Sequence, residues 1–322
     1  MKVSVTTGSR LHIGFTNLSK DAGRYCGSIG VALDYPCTSV VMAKRVDLVV
    51  AGDHPEQTVA WIRRFSEHFD VEPRAHVDVR ESIPQHVGLG SGTQLALAVG
   101  VGLATLHGVK ASVQDVALAM TRGKRSGIGI AAFQTGGFII DAGHKLGGSG
   151  VHAPASVVWR QDFPPDWCFV VAIPGSGKGL NGPGEEGVFA ALSASVRVSE
   201  EICRLTHLKL MPALVEKDIE EFGCALTDID RKTGLYFSDV QGGIYGGIVA
   251  RETIDVMLQA GACGGGQSSW GPAVYGLVDE GRARPVEEEV RRFFQEKGGE
   301  GSVFVAHGRN SGAHVEVTRD AL

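Results

Sequence analysis

Short runs of alternating apolar and polar residues dominate the first part of the chain. This period of two residues is typical of strands that bury one face. Turn residues separate the runs, and helical patterns take over after the last of them. The predicted strands are Val3–Thr6, Ser28–Leu33, Ser39–Ala43, Asp47–Val50 and Ala75–Val79.

The helix predicted from Ser91 to His107 follows a glycine-rich loop directly. Its apolar residues recur at helical spacing, and Gly108 stands just past its end, where a left-handed C-cap is expected. A second helix is predicted over Val113–Arg122, with Ser112 as its N-cap. The periodic apolar positions of the first helix are Leu95, Val99, Leu103 and Leu106.

The remaining pattern mixes strands with longer helices and indicates an α+β fold with two sheets. A proline- and aromatic-rich segment, Pro154–Asp166, predicts a domain boundary. The further predicted strands are Gly136–Ala142, Cys168–Ile173, Ala273–Val278, Val303–Ala306 and His314–Val317, and the further predicted helices are Glu185–His207, Pro212–Ile229, Glu252–Ala260 and Pro285–Glu296.

Composition narrows the class of protein. The 322 residues are 43% hydrophobic and 21% charged, which suffices for two packed domains. The 31 basic and 36 acidic residues are dispersed, so no basic stripe indicates nucleic-acid binding. This distribution is compatible with a small phosphorylated substrate. No apolar run reaches membrane-spanning length, and we expect a cytoplasmic protein without a membrane partner. The 6 scattered cysteines form no C-x-x-C pair that would predict zinc.

The loop from Pro84 to Gln94 is the strongest chemical signal. Gly88, Gly90 and Gly92 alternate in it, and it opens straight into the helix at Ser91. Exposed amides and the positive helix end favour an anion there. The spacing matches neither the P-loop of nucleotide triphosphatases nor the dinucleotide fingerprint. The alternative is a tight turn with a serine N-cap.

These residues resemble the phosphate loop P-x-x-x-G-L-G-S-S of the GHMP superfamily, which includes galacto-, homoserine and mevalonate kinases. Gly92 departs from the pattern, which has serine there. The later cluster Gly261–Ser268 is similar to the third motif of that superfamily, which implies that it folds over the same phosphates. The alternative is a loose loop.

The kinases of the superfamily place a base aspartate after a Ser-Gly pair. The corresponding stretch here, Ser126–Phe133, holds no acidic residue. Phosphoryl transfer to an alcohol by the usual route therefore lacks its base.

One branch is matched more closely, and the matching segments span nearly the whole chain. They are Ser9–Phe15, Gly27–Leu33, Gly88–Leu97, Arg125–Phe133 and Gln267–Pro272. Together they resemble the β-ribofuranosylaminobenzene 5′-phosphate synthases. The resemblance implies a GHMP-kinase-like fold of two α+β domains, a phosphate-loop domain over residues 1–165 and a ferredoxin-like domain over residues 166–322, with the site in the cleft between them.

The resemblance also implies the reaction. Phosphoribosyl pyrophosphate condenses with 4-aminobenzoate, or with 4-hydroxybenzoate, and releases carbon dioxide and pyrophosphate in an early step towards a methanopterin-type cofactor. Mg²⁺ is the expected metal. Attack by the ring carbon that bears the carboxylate loses carbon dioxide instead of a proton, so a strong general base becomes dispensable. A homodimer is expected as the commonest state of a cytosolic enzyme.

The candidate catalytic residues are Arg125, His12 and Asp141. Arg125 and Lys124 precede a glycine turn and suit a pyrophosphate clamp, or they neutralise the end of a helix. Arg10 and His12 share one face of a strand. Asp141 and Glu185 are the metal candidates, although each also suits a cap or a helix start. The candidate phosphate- and substrate-binding residues are Arg10, Gly88, Leu89, Gly90, Ser91, Gly92, Thr93, Gln94, Lys124, Ser126, Gly265, Gly266, Gln267, Ser268 and Ser269.

Arg24, Trp270 and Phe133 are weaker candidates. A turn arginine is usually solvated, and large aromatic residues mostly belong to cores, although Trp270 and Phe133 also suit stacking on an aromatic substrate. Two other functions remain open. An ATP-dependent small-molecule kinase would bind nucleotide, and a silent binding or scaffold protein would turn over no substrate.

Overall fold

Two long strands, β1 (Lys2–Asn17) and β3 (Gly27–Lys44), form the centre of the first sheet. The computed structural model describes residues 1–147, 153–175 and 195–319. The two strands pair antiparallel, with register shifts in the middle of β1 of the kind that β-bulges produce. A separate short antiparallel pair consists of β2 (Arg24–Tyr25) and β7 (His144–Lys145).

The other strands of the first sheet are β4 (Val49–Gly52), β5 (Ala75–Glu81), β6 (Phe138–Asp141), β8 (Val157–Gln161) and β13 (His314–Thr318). Within the described residues this sheet has seven strands, in the order β13-β1-β3-β5-β4, with β6 beside β3 and β8 beside β6. Its helices are α1 (Pro55–Phe69), α2 (Ser91–His107), α3 (Val113–Ala119) and α4 (Ile128–Gln134).

Helix α2 is the central helix of this half. Its own alanine, leucine and valine side chains occupy nearly all of its faces, so the helix is buried against β1 and β3 and does not lie on the surface. Leu103 and Val99 belong to the same core cluster as Val5 and Met42 of the sheet. The packing fixes where the first turn of α2 points.

The second sheet consists of β9 (Trp167–Pro174), β10 (Gly264–Gln267), β11 (Val274–Asp279) and β12 (Gly301–His307), in the antiparallel order β10-β11-β9-β12. Its helices are α5 (Val196–Leu205), α6 (Met211–Glu216), α7 (Ile219–Gln241), α8 (Ile248–Gln259) and α9 (Glu280–Glu296), and a π-helical turn (Thr206–Leu210) joins α5 to α6. Helices α8 and α9 share a core cluster with β9 and β11.

One hydrophobic cluster continues from the first sheet into the second half. Leu11 and Phe138 of the first sheet belong to it together with Phe169 and Tyr275 of the second. Phe222 of α7 lies between them and contacts Phe138 at a ring-centroid distance of 5.5 Å. The two halves therefore share a core and are not joined by a linker alone.

The predicted α+β fold of two packed halves is confirmed, and individual elements differ in detail. The prediction missed α1, although Pro55 occupies its first turn and Ile62 and Phe65 form its buried face. The helix predicted over Pro212–Ile229 is two helices, because Lys217 adopts a left-handed conformation between them. Strand β13 falls within the predicted second domain but pairs with β1.

Candidate functional site

The start of α2 has the geometry of an anion site. Gly90 is its N-cap in a left-handed conformation with φ +84°, and no side chain caps the first turn. Open N–H groups and the helix dipole favour a negative ligand there. Arg10 of β1 lies against this turn: its guanidinium donates to Gly88 O, and its backbone N–H donates to Leu89 O (3.1 Å). Leu89 is buried and contributes backbone only.

The loop after β10 is fastened to the glycine-rich loop. The Ser268 hydroxyl donates to Gly88 O (2.7 Å) and accepts from the N–H of His12 (3.1 Å). Gly88 has φ +91°, and an ideal Cβ there would lie 2.2 Å from Ser268 O. This contact, which we call the Gly88–Ser268 clamp, leaves room for glycine only at position 88.

The later glycine cluster does not present its amides to phosphates, and this corrects the expectation for Gly265, Gly266, Gln267 and Ser268. The N–H of Gly265 donates to Thr227 Oγ1 (2.9 Å), and the N–H of Gln267 donates to the Asp230 carboxyl (3.1 Å). An ideal Cβ at Gly266 would lie 2.3 Å from Asp230 Cγ. These glycines therefore allow α7 to approach β10, and Ser268 is committed to the clamp.

Asp230 is a buried carboxyl that the sequence analysis missed. It lies on α7, accepts from Gln267 and also accepts from the Tyr275 hydroxyl (3.1 Å). Burial raises its pKa well above the ordinary range, because desolvation outweighs these hydrogen bonds. The helical period could have found it, because Asp230 stands four positions after Leu226 and seven before Phe237, on the buried face of α7.

Gln94 is also corrected from ligand binding to structure. It is fully buried, its Oε1 accepts from the Thr7 hydroxyl (2.7 Å), and its Nε2 donates to Gly129 O (2.8 Å). Ser91 and Gly92, half-buried in the first turn of α2, keep the position that a phosphate site requires and remain predictions.

Arg122 is an additional cation at the start of α2. Its Nε and Nη2 donate to Thr93 Oγ1 at 3.2 and 3.0 Å, and an ideal Cβ on Gly92 would lie 3.3 Å from its Nη2. Its guanidinium also lies 5.7 Å from the ring centroid of Trp61. Arg122 ends the helix predicted over Val113–Arg122, and no local pattern there indicates a ligand.

The turn between α3 and α4 carries the predicted cations. Lys124 is exposed and Arg125 is half-buried, and the Ser126 hydroxyl accepts from the N–H of Ile128 (3.2 Å). An ideal Cβ at Gly129 would lie 3.1 Å from Thr93 Cγ2, so α4 begins next to the first turn of α2. The turn is thus beside the anion site, and its binding role remains a prediction.

The contacts of Asp141 argue against both its catalytic and its metal-binding assignment. The carboxyl is 1% exposed; Oδ1 accepts from the N–H groups of Ser28 (3.1 Å) and Gly143 (2.8 Å), and Oδ2 accepts from that of Gly127 (2.8 Å). Burial raises its pKa to about 6, which the three hydrogen bonds only partly offset. We reassign it to holding β3, the end of β6 and the start of α4 together.

The Asp141→Ala variant tests this reassignment. Three buried N–H groups would lose their acceptor, so we expect the free energy of unfolding to fall by about 3 kcal/mol or more in urea titrations. Added Mg²⁺ should restore nothing. A folded-state pKa above the unfolded one favours the folded state below pH 4 and less as pH rises through 6, so the stability difference between wild type and variant should narrow from pH 4 to 7.

The control is Asp162→Ala, which removes an exposed carboxylate paired with Arg160 and should cost less than about 1 kcal/mol. An Asp141→Ala protein as stable as wild type, with activity recovered at high Mg²⁺, would contradict the structural role.

His12 is a buried, neutral histidine. Desolvation, followed by the charge of Arg10, lowers its pKa to about 3. Its Nε2 has no hydrogen-bond partner among the described residues. The ring is therefore neutral near pH 7 and cannot act as a general acid there. The role that stays a prediction for His12 is that of a neutral hydrogen-bonding group.

A small cavity lies beside His12, between β1, α7 and the loop after β10. Phe15, Phe237 and Trp270 line it, with a Phe237–Trp270 centroid distance of 4.5 Å. Ser269 also lines it and remains a candidate for substrate binding. Phe133, in contrast, is a core residue, which leaves Trp270 as the aromatic candidate of the two.

The described residues do not provide a metal cage. Across residues 1–147, 153–175 and 195–319, no cluster of three or more His, Cys, Asp or Glu side chains is placed to hold a metal ion. Glu185 lies outside the described residues.

Arg24 has a structural role, because its guanidinium donates to Ala142 O (2.7 Å) and Gly143 O (3.1 Å). No described helix is long and apolar enough to cross a membrane.

Sequence comparison identifies both halves of the chain. Residues 56–137 match the GHMP kinases N-terminal domain and residues 210–296 match the GHMP kinases C-terminal domain. A β-ribofuranosylphenol 5′-phosphate synthase from Methanothermobacter thermautotrophicus is 33% identical over 98% of this chain and 99% of its own length. The chain belongs to the β-ribofuranosylphenol 5′-phosphate synthase family. Another synthase of this name, from Archaeoglobus fulgidus, is 36% identical over 97% of this chain and 98% of its own.

Solved structures support the same fold at lower identity. A homoserine kinase from Cytophaga hutchinsonii superposes with a TM-score of 0.70 at 17% identity, covering 98% of this chain and 97% of the kinase. A mevalonate kinase gives 0.66 at 13% identity, covering 96% and 99%. At such identities the likeness concerns the fold, whereas membership of the synthase family makes the chain an enzyme of pentosyltransferase type.

Proposed function

We propose that the enzyme transfers the phosphoribosyl group of phosphoribosyl pyrophosphate to the carboxyl-bearing carbon of a 4-substituted benzoate. The observation that carries the proposal is the start of α2, an uncapped helix end between Arg10 and Arg122, next to a turn that has no acidic residue of its own. The Asp141 carboxyl that contacts this turn is buried and accepts from backbone N–H groups. Such a place holds a pyrophosphate but offers no base, which suits a reaction that needs none.

The bond changes balance without a proton acceptor. The bond between C1′ of the ribose and pyrophosphate oxygen breaks, and pyrophosphate leaves with the electron pair. A bond forms between C1′ and the ring carbon that bears the carboxylate. The bond from that carbon to the carboxylate then breaks, its electrons restore the aromatic ring, and carbon dioxide leaves. The enzyme's part is to hold both reactants in line and stabilise the leaving pyrophosphate.

The relatives' name indicates the acceptor to test first. Replacement of the carboxyl group of 4-hydroxybenzoate by the phosphoribosyl group gives a ribofuranosylphenol 5′-phosphate, which is the product that the relatives are named for. The same chemistry on 4-aminobenzoate gives the aminobenzene that the sequence resemblance implied. We therefore propose 4-hydroxybenzoate as the acceptor to test first, with 4-aminobenzoate as the alternative acceptor.

Magnesium, a cytoplasmic location and a homodimer remain part of the proposal. The carboxylates of the described residues do not form a site of their own for Mg²⁺, because Asp141 is committed to backbone N–H groups. Magnesium usually binds through substrate phosphates and few carboxylates, so we propose that it accompanies the pyrophosphate. No step above depends on it.

The test is release of labelled carbon dioxide from carboxyl-labelled 4-hydroxybenzoate and 4-aminobenzoate, with phosphoribosyl pyrophosphate, Mg²⁺ and purified enzyme. A parallel reaction measures ATP consumption with a panel of small alcohols. Release that requires both substrates is the expected result. ATP consumption that depends on one alcohol, without release of carbon dioxide, would overturn the proposal in favour of a kinase.

Arg122→Ala is expected to raise the KM for phosphoribosyl pyrophosphate about tenfold or more, with a smaller effect on the KM for the acceptor. The reason is loss of a guanidinium from the first turn of α2. The matched control is Arg64→Ala, because Arg64 also lies 5.7 Å from the Trp61 ring but donates to Thr121 instead. If both substitutions raised the KM for phosphoribosyl pyrophosphate equally, Arg122 would act through packing on Trp61 and not through binding at the anion site.

A further inference from the structure

The cavity beside His12 combines apolar walls with one unsatisfied polar atom. The ring centroids of His12 and Phe15 are 4.6 Å apart, and those of Phe15 and Phe237 are 6.0 Å apart. The cavity volume is about 30 Å³, enough for a small polar group but not for an aromatic ring. Half-buried Trp270 and Thr233 lie at its rim.

The unsatisfied atom is a hydrogen-bond acceptor. His12 is 4% exposed, and its Nε2 has no partner among the described residues. A main-chain hydrogen bond of His12 itself acts to raise the pKa of the ring, as a bond that the ring donates does, and we assign it to Nδ1 because Nε2 has no partner among the described residues. A neutral imidazole that donates through Nδ1 carries a lone pair on Nε2. A buried acceptor without a donor is costly, so a ligand that supplies a hydrogen gains affinity there.

The neighbouring polar groups already have partners. The Gln267 amide donates to Ser269 O (3.1 Å) and accepts from the N–H of Gly246 (2.6 Å). The Asp230 carboxyl accepts from Gln267 and Tyr275. His12 is therefore the group among these that is available to a ligand.

Strand geometry connects the cavity to the anion site. Arg10 and His12 pair with Ala32 and Gly30 in a regular stretch of the register, so their side chains share a face of β1, roughly 6.6 Å apart along the strand. Arg10 contacts the glycine-rich loop, whereas His12 lines the cavity. A flat ligand lying along this face would have one end in the cavity and the other towards the start of α2.

We propose that the cavity binds the 4-hydroxyl or 4-amino group of the benzoate acceptor, whose hydrogen is accepted by His12 Nε2, while the aromatic ring lies at the rim against Trp270. The inference rests on the proposed function and adds the acceptor's position. Both substituents donate a hydrogen, so one acceptor atom serves either benzoate. The carboxyl-bearing carbon then points towards the donor.

The experiment measures equilibrium binding, because ring reactivity then plays no part. Dissociation constants of 4-hydroxybenzoate, 4-aminobenzoate and 4-fluorobenzoate are determined by dialysis in the presence of pyrophosphate, for wild type and for His12→Phe. Fluorine has nearly the size of a hydroxyl but donates no hydrogen. Wild type should bind 4-fluorobenzoate about tenfold to hundredfold more weakly than the two donors. His12→Phe should bring the ratio close to one.

Trp270→Ala is the matched variant. It should weaken all three benzoates by a similar factor and keep the wild-type ratio, since it removes ring contact only. Equal binding of hydroxy- and fluorobenzoate by wild type would overturn the proposal, and this result needs no variant to fold. A ratio that persists in folded His12→Phe would also overturn it. Carbon dioxide release by wild type is measured separately. Release without discrimination between hydroxy- and fluorobenzoate would reject the binding site and leave the proposed reaction intact.

Discussion

Gly88→Ala is expected to lower kcat/KM by a factor of about one hundred or more, since displacement of a positioning loop by an ångström is enough for such a loss. The new methyl group would lie 2.2 Å from Ser268 O, a backbone atom that cannot turn aside. The Gly88–Ser268 clamp must therefore open, and the start of α2 moves away from Arg10. Stability should fall as well, by about 3 kcal/mol from combined overpacking and backbone strain.

Gly108→Ala separates the two causes. Gly108 has φ +73°, close to the left-handed conformation of Gly88, but no atom lies within 4 Å of an ideal Cβ there. Its substitution should cost about 1 kcal/mol of stability through backbone strain alone and leave kcat/KM unchanged. Steady-state kinetics and urea unfolding on both variants decide the matter. Normal kinetics in Gly88→Ala would mean that the clamp does not position the site.

Arg125→Ala is expected to reduce kcat by about one hundredfold, the usual loss when a donor to a developing anion is removed. Arg125 is half-buried in the turn beside the start of α2. Burial raises the pKa of the Tyr25 hydroxyl, and the charge of Arg125 acts in the opposite direction. Tyr25 in turn packs against the cluster of Phe15 and Phe237. Arg125 thus lies beside the anion site and close enough to Tyr25 for its charge to act on that hydroxyl.

Two companion variants define the role of Arg125. Arg125→Lys keeps the charge but loses bidentate geometry, so it should recover only part of the activity. Lys124→Ala removes the exposed neighbouring charge and should change kcat less than threefold or so, because screening weakens exposed charges. Single-turnover measurement of carbon dioxide release gives the chemical step directly. Turnover of Arg125→Ala at the wild-type rate would exclude a role of Arg125 in binding the pyrophosphate.

Local signals in the sequence predicted what depends on local conformation. Alternating glycines before Ser91 predicted the loop, and the apolar period predicted α2, because both features depend on residues close in the chain. Contacts between distant residues could not be predicted in this way. Thr93 and Arg122 are 29 positions apart, and Gly88 and Ser268 are 180 apart.

The revised assignments share a physical reason. A glycine cluster indicates that something approaches the backbone closely, but the sequence does not distinguish a ligand from the protein's own helix. At Gly266 the approaching group is Asp230. Likewise, a carboxylate after a buried strand accepts equally well from a metal's water or from backbone N–H groups, and Asp141 has the latter.

The Gly88–Ser268 clamp also limits how the enzyme can be recombined with its relatives. The glycine-rich loop comes from one half of the chain and the seryl hydroxyl that fastens it comes from the other, so neither half carries a finished site. A chimera that takes its first half from one synthase and its second from another must match these two loops as a pair. The two halves of the chain match two separate domain families, but the candidate site needs one loop from each half.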